Sequence, residues 1–186
     1  GGLSDAGTKK AIKFYSKIIT AKILPLKSVK EAEAVKVAEN TFRDINIAFV
    51  NELAKSFDKM GIDVVEVIKG ASTKPFGYMP FYPGPGVGGH CIAVDPYYLI
   101  EKAKSKGFEH KFLKLARQIN DSMADFVVEK VEAAIISTGK NFSNAKIAVL
   151  GVAYKANIDD ARESPSLKII SILEGKGTKP IVFDPH

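Results

Sequence analysis

The sequence predicts a mainly α domain organised around one very long helix, followed by the opening of a parallel α/β unit. Three observations carry that expectation. Helical periodicity runs unbroken by Gly or Pro from Ser28 to about Met60, residues 72–90 hold four Pro and five Gly, and strand–helix–strand patterning sets in after Asn141. A chain of 186 residues that is 46% apolar can bury a core, as one domain or two small ones.

The pattern predicts a first helix over residues 5–18, opened by Ser4 or Asp5, and a short strand or extended link over 19–24 before Pro25. Ser28 then caps the long helix, with Glu31 three residues on as in a capping box. Apolar residues follow at Val35, Ala38, Phe42, Ile45, Phe49, Leu53 and Phe57. A helix of ~45 Å is longer than a small domain needs, so part of it is expected to pack on a partner subunit. A short helix follows between Gly61 and Gly70, residues 72–90 are irregular, and helices resume over 95–106 and 110–137. The second of these traces one face through Phe112, Leu115, Ile119, Met123, Val127 and Val131. Beyond Asn141, AKIAVLGVAYK is a buried strand ending at Gly151. SPSLKIISILEGKG is a helix with Pro165 in its first turn and Gly175 past its end, and KPIVFDPH is a second strand. Two strands do not make a stable parallel sheet, so residues 142–186 are expected to be a truncated domain or one completed by residues absent here.

The formal charge of +6 suits anionic ligands, either nucleic acid or a diphosphate-bearing small molecule. Its lysines are scattered among acids, without an arginine-rich arm, zinc-finger spacing or aromatic RNA-binding motif, so a nucleic-acid partner is not expected. No apolar run approaches the ~20 residues of a membrane span, and no secretory signal is visible. The expectation is a cytoplasmic chain without a membrane partner. Cys91, the one cysteine, cannot form an internal disulfide and fits a reducing compartment. The start at GGLSDAG, without Met, suggests a fragment.

The stretch PGPGVGGHCIAVDP contains a formal G-x-G-x-x-G match from Gly84 to Gly89 and ends on His90-Cys91. A dinucleotide loop follows a strand directly, and Pro80, Pro83 and Pro85 exclude one here. Metal ligation is weaker still, because His90 and Cys91 are adjacent and no second pair lies at ligand spacing; no metal is expected. The third reading fits better. Glycines let a substrate approach the backbone, and a cysteine near a helix start is readily deprotonated, which makes Cys91 a candidate nucleophile with Asp95 on its face. The competing reading of Cys91 is a small buried hydrophobe. On the long helix, Lys36, Asn40 and Arg43 follow one another at helical spacing and by themselves read as a solvated stripe.

Together VKVAENTFRDINIAFVNEL, PGPGVGGHCIAVDPYYL and VLGVAYKANIDDARESPS resemble the nucleotide-sugar 6-dehydrogenases over nearly all 186 residues. Within that family Gly89-His90-Cys91 favours the branch acting on UDP-N-acetylhexosamines, the mannosamine epimer ahead of glucosamine. The resemblance implies NAD as cofactor, a UDP-sugar as substrate, and two successive oxidations of its C6 alcohol to a carboxylate. It divides the chain into the tail of an NAD-binding domain (1–27), a central helical dimerisation domain (28–141) and the start of a Rossmann-like α/β domain that binds nucleotide sugar (142–186). It implies catalytic roles for Cys91, Lys36 and Asp95, and substrate contacts from Asn40, Arg43, Gly86, Gly88, His90, Tyr154 and Lys155. Tyr154 stands where the family often has Phe. Arg162 matches a residue that reaches NAD, against the alternative of an ion pair with Asp159, Asp160 or Glu163. Two readings of other classes remain, a non-catalytic dimerising helical module and an acyl-transferring cysteine hydrolase; the second needs a base beside the thiol, and His90, adjacent in sequence, is poorly placed to reach it.

Overall fold

A computed structural model describes residues 1–185, which fall into two compact units, one over residues 1–40 and the other from Thr41 onward. The first contains α1 (Asp5–Tyr15) and the start of α2 (Val29–Met60). Ser4 caps α1 by accepting the Gly7 N–H at 3.1 Å. The helix ends three residues sooner than the pattern predicts, and residues 19–24 contain neither helix nor strand. Ser28 opens α2. Its hydroxyl accepts the Lys30 N–H at 3.1 Å and donates to the Glu31 carboxylate, which holds that carboxyl below its ordinary range. At 32 residues α2 is about 48 Å long and runs on into the second unit.

The second unit continues with α3 (Val64–Ala71), α4 (His90–Lys104), α5 (Lys111–Asp121), α6 (Met123–Ser137), a 3-10 turn at Phe142–Asn144, β1 (Ala148–Leu150), α7 (Pro165–Gly175) and β2 (Ile181–Phe183). β1 and β2 pair in parallel, with Ala148 opposite Ile181 and Leu150 opposite Phe183. Val128, Phe142 and Leu173 form a buried cluster flanked by Ile147, Val149, Ile169 and Ile172, so α6, α7 and β1 share one core. Asp184 closes the end of the strand pair by accepting the Val152 and Ala153 N–H groups at 2.7 and 3.0 Å. No helix among the described residues is long and apolar enough to cross a membrane.

The fold class is the one the pattern predicts, but several elements differ. α4 starts at His90, five residues before its expected start, so Pro96 lies inside the helix rather than in its first turn. The predicted helix over 110–137 is interrupted at Ser122, whose hydroxyl donates to the Ile119 carbonyl at 2.7 Å and accepts the Lys55 ammonium at 2.9 Å. β1 is not buried: Leu150 is 80% exposed. The strands are also shorter than the patterns that announced them, and His186, the end of the second pattern, lies outside the described residues.

The largest departure concerns which side of the helices is inside. Val35, Phe42 and Phe49 of the expected apolar stripe on α2 are about half exposed, and so are Phe112 and Leu115 on α5. The buried positions are Asn40, Thr41, Asp44, Ala48, Val50 and Asn51 on α2, and Leu113, Ala116, Arg117 and Asn120 on α5. Polar groups are buried when partners reach them. Arg117 donates to the Asp44 carboxylate at 2.6 Å and to Asp121 at 2.7 Å, and Asn120 donates to the Asp44 carboxylate and carbonyl at 2.8 and 3.0 Å. Its guanidinium lies 5.5 Å from the Tyr97 ring centroid. Burial pushes the Asp44 carboxyl up while Arg117 and Asn120 pull against it. Burial also works against the Arg117 charge, but Asp44, Tyr97 and Asp121 together hold it above its ordinary value.

Because the pair is desolvated, Arg117→Met strands the Asp44 charge. Urea unfolding is expected to show a loss of about 3–5 kcal/mol, and a loss below about 1 kcal/mol would place the pair with ordinary surface pairs.

Candidate active site

The irregular run over residues 72–89 contains neither helix nor strand and delivers the chain to the start of α4. Gly89, at φ 80, is the N-cap residue, so His90 and Cys91 are the first two residues of the helix. Cys91 is exposed, which removes the reading of it as a small core hydrophobe. Asp95 is half-buried one turn further along the same side of α4.

The glycines of this loop are required by what lies against them. A Cβ at Gly88 would stand 2.7 Å from the Tyr154 Cβ and 2.9 Å from the Pro165 Cδ. At Gly89 it would stand 2.6 Å from the Tyr154 ring, and at Gly86, with φ 138, it would press on Pro165 and the Asn120 carbonyl. The loop is therefore packed against Tyr154 and the entry to α7, which brings Gly86, Gly88, His90 and Tyr154 into one neighbourhood. Arg162 belongs to the same segment and is bound to Asp160: its Nε and one terminal nitrogen donate to the two carboxylate oxygens at 2.8 and 2.6 Å. This bidentate pair realises the ion-pair alternative weighed for Arg162, with Asp160 as the partner. It holds the Asp160 carboxyl at about 2, aided by the Arg162 N–H and, to a smaller extent, by His90. Tyr154 donates its own N–H to the Asp160 carbonyl at 3.0 Å. His90, Lys155 and Arg162 are exposed and able to meet an anionic ligand.

Lys36 and Asn40 lie in the first unit and Arg43 in the second. Lys36 is exposed, its ammonium 3.5 Å from Glu39. Arg43 is exposed too, whereas Asn40 is 1% exposed, so the three do not form the uniformly solvated stripe that their spacing allows.

Sequence reasoning missed the buried chain behind the loop. Asn51 accepts the Gly84 N–H at 2.9 Å and donates to Asn120 at 2.9 Å, joining the loop to Asp44 and Arg117. Its available signal was a polar phase on α2, Asn40, Asp44 and Asn51 at helical spacing, beside the apolar one. The N-cap role of Gly89 and the choice of Asp160 as the partner of Arg162 arise from contacts made on folding. A cavity of about 530 Å³ is lined by Gly86, Ala93, Val94, Tyr97, Arg117 and Pro165, among others. At 100° per residue, Ala93 and Tyr97 face away from Cys91 and Asp95, so this cavity lies behind the candidate nucleophile.

Among the described residues no group of three or more His, Cys, Asp or Glu is placed to hold a metal ion. Nor do they fit a dinucleotide. The glycine run is not fed by a strand, and the one strand–loop–helix unit enters α7 through Ser164 and Pro165, with the Ser164 hydroxyl already accepting the Ser166 N–H at 3.3 Å.

Residues 30–122 match the UDP-glucose/GDP-mannose dehydrogenase family, central domain, and residues 148–186 match its UDP binding domain. The whole chain is 42% identical to a UDP-N-acetyl-D-mannosamine dehydrogenase of Methanocaldococcus jannaschii, covering 41% of that protein. Over 92% of its length it is 43% identical to a UDP-N-acetyl-D-glucosamine 6-dehydrogenase of Pseudomonas aeruginosa, covering 40% of it. A solved UDP-D-ManNAc dehydrogenase from Pyrococcus horikoshii superposes on the whole chain with a TM-score of 0.91 at 39% identity, 43% of that structure being covered. The chain thus spans about two fifths of the length of these relatives. With the central domain matched over half of its 186 residues, the chain belongs to the UDP-glucose/GDP-mannose dehydrogenase family.

Proposed function

We propose that the chain is part of an NAD-dependent nucleotide-sugar 6-dehydrogenase that oxidises the C6 alcohol of UDP-N-acetyl-D-mannosamine to the uronic acid. The observation that carries this reading is an exposed cysteine in the first turn of α4, behind a glycine loop locked onto Tyr154 and Pro165, in a chain of this family. UDP-N-acetyl-D-glucosamine is the second reading, favoured by the Pseudomonas relative, and UDP-glucose the third. As an isolated piece the chain acts as a dimerising helical module, inactive without a dinucleotide site. We assign residues 1–27 to the tail of an NAD-binding domain, 28–141 to the central domain and 142–186 to the start of the nucleotide-sugar-binding domain, in the cytoplasm, where a free thiol persists.

A nicotinamide dinucleotide supplies the hydride acceptor, twice per sugar. This chain's residues handle the sugar. Lys36 takes up the O6 proton or faces the oxyanion as C6 becomes an aldehyde, and Asn40 hydrogen-bonds the same oxygen. The Cys91 thiolate adds its electron pair to C6, forming a thiohemiacetal. Loss of the second hydride from C6, with collapse of the oxyanion, leaves a thioester. Asp95 orients a water onto C6; the C–S bond breaks, the thiolate returns to Cys91, and the acid leaves. Arg43, His90, Tyr154 and Lys155 hold sugar and phosphates beside the Gly86–Gly88 backbone. Arg162 is assigned to the cofactor, which requires it to exchange its bond to Asp160.

In the protein as its gene encodes it, two NAD are expected to be reduced per sugar. Cys91→Ser is expected to lower acid formation by at least about 10³-fold. Full activity in that variant, or one NAD per sugar, would remove Cys91 from the mechanism.

The partner we assign is a second copy of the chain, seated on the outward apolar stripe of α2, where Phe42, Phe49, Tyr78, Met79 and Phe81 line an open groove of about 500 Å³. Sedimentation of the 186-residue chain, 20.1 kDa, is expected to give twice that mass, and a clean monomer at high concentration would count against the assignment.

A further inference from the structure

The buried side chains that join α2, α5 and the glycine loop take no part in the chemistry assigned above, yet their hydrogen bonds run in one sense. The Gly84 N–H can only donate, so Asn51 must turn Oδ1 to it and Nδ2 to Asn120. Asn120 therefore turns Oδ1 to Asn51 and Nδ2 to Asp44, which also receives Arg117. A donor at one end and a carboxylate at the other fix both amides, and bonds aligned head to tail polarise one another. Asn51, Asn120 and Asp44 are each no more than 1% exposed.

The glycine run 84–89 is held at both ends. Its later glycines rest on Pro165 and Tyr154, and Gly84 is bound to Asn51. Gly89, five residues after Gly84, sets where α4 begins and so where Cys91 stands. We propose that Asn51 is a positioning residue for the oxidation proposed above, on which reading the assignment rests: by holding Gly84 it fixes the start of α4 and the placement of the Cys91 thiol and Asp95 carboxylate. A neutral amide suits the position, because it accepts from Gly84 and donates to Asn120 without adding charge beside Asp44. Aspartate would set a carboxylate against the Asn120 oxygen, and leucine would leave both partners unmatched.

The test compares Asn51→Leu with Leu173→Ala, a destabilising change in the α6–α7–β1 core away from the loop. In the 186-residue chain, Asn51→Leu is expected to speed amide exchange at residues 84–91 at least about tenfold relative to α6, whereas Leu173→Ala leaves that ratio unchanged. In the gene-encoded protein, Asn51→Leu is expected to lower kcat about tenfold or more with a smaller change in KM, a split that Leu173→Ala does not produce. Unchanged loop exchange, or unchanged kcat, overturns the proposal. If the leucine variant does not fold, Asn51→Ser, too short to reach Gly84, is read in the same way. Failure of the unsubstituted protein to oxidise any UDP-sugar would instead sink the functional reading, while loop exchange still decides the anchoring.

Discussion

Arg117 of α5 and Asp44 of α2 face each other across a contact from which water is almost entirely excluded, and much of the second unit is arranged around that contact. An isolated charge in such a place is costly, and each of these two is met by more than one partner. Asp44 receives Arg117 and Asn120, while Arg117 also reaches Asp121 and lies over Tyr97. One consequence is that α2 turns Asp44 and Asn51 inward with Ala48 and Val50, and Phe42 and Phe49 outward. The other is that the hydrogen-bond chain continues through Asn120 and Asn51 to the loop that leads into α4.

At that loop the glycines permit close contact. Gly86, Gly88 and Gly89 leave room for Pro165 and Tyr154, and Gly89 adopts the left-handed φ from which α4 starts. Cys91 is presented on a helix start that is held from one side by the amide chain and from the other by the segment entering α7. Arg162, in that same segment, is paired with Asp160.

What could be read from the sequence was local. The boundaries of α2 follow from a cap, an acidic third residue and thirty residues without Gly or Pro, all of which act within a turn or two. The irregular loop follows from its prolines, and Cys91 at its end stands out by composition alone. The buried side of α2 could not be read this way, since Asp44 and Asn51 lie inside only where residues some seventy positions away meet them. For the same reason the start of α4 was misplaced. Pro96 favours a helix beginning beside it, and the competing signal, Gly89 fitted beneath Tyr154, exists only in the folded chain. Arg162 was legible as a functional candidate but its partner was open among three acids, and geometry selects Asp160.

Covalent capture of the sugar at Cys91 is most directly measured by acid-quenching the gene-encoded protein during turnover of its UDP-sugar and weighing the peptide that contains Cys91. With Asp95→Asn slowing hydrolysis, that peptide is expected to carry the uronyl group as a thioester. An unmodified Cys91 peptide at every time point, while acid continues to accumulate, would contradict the role assigned to the thiol.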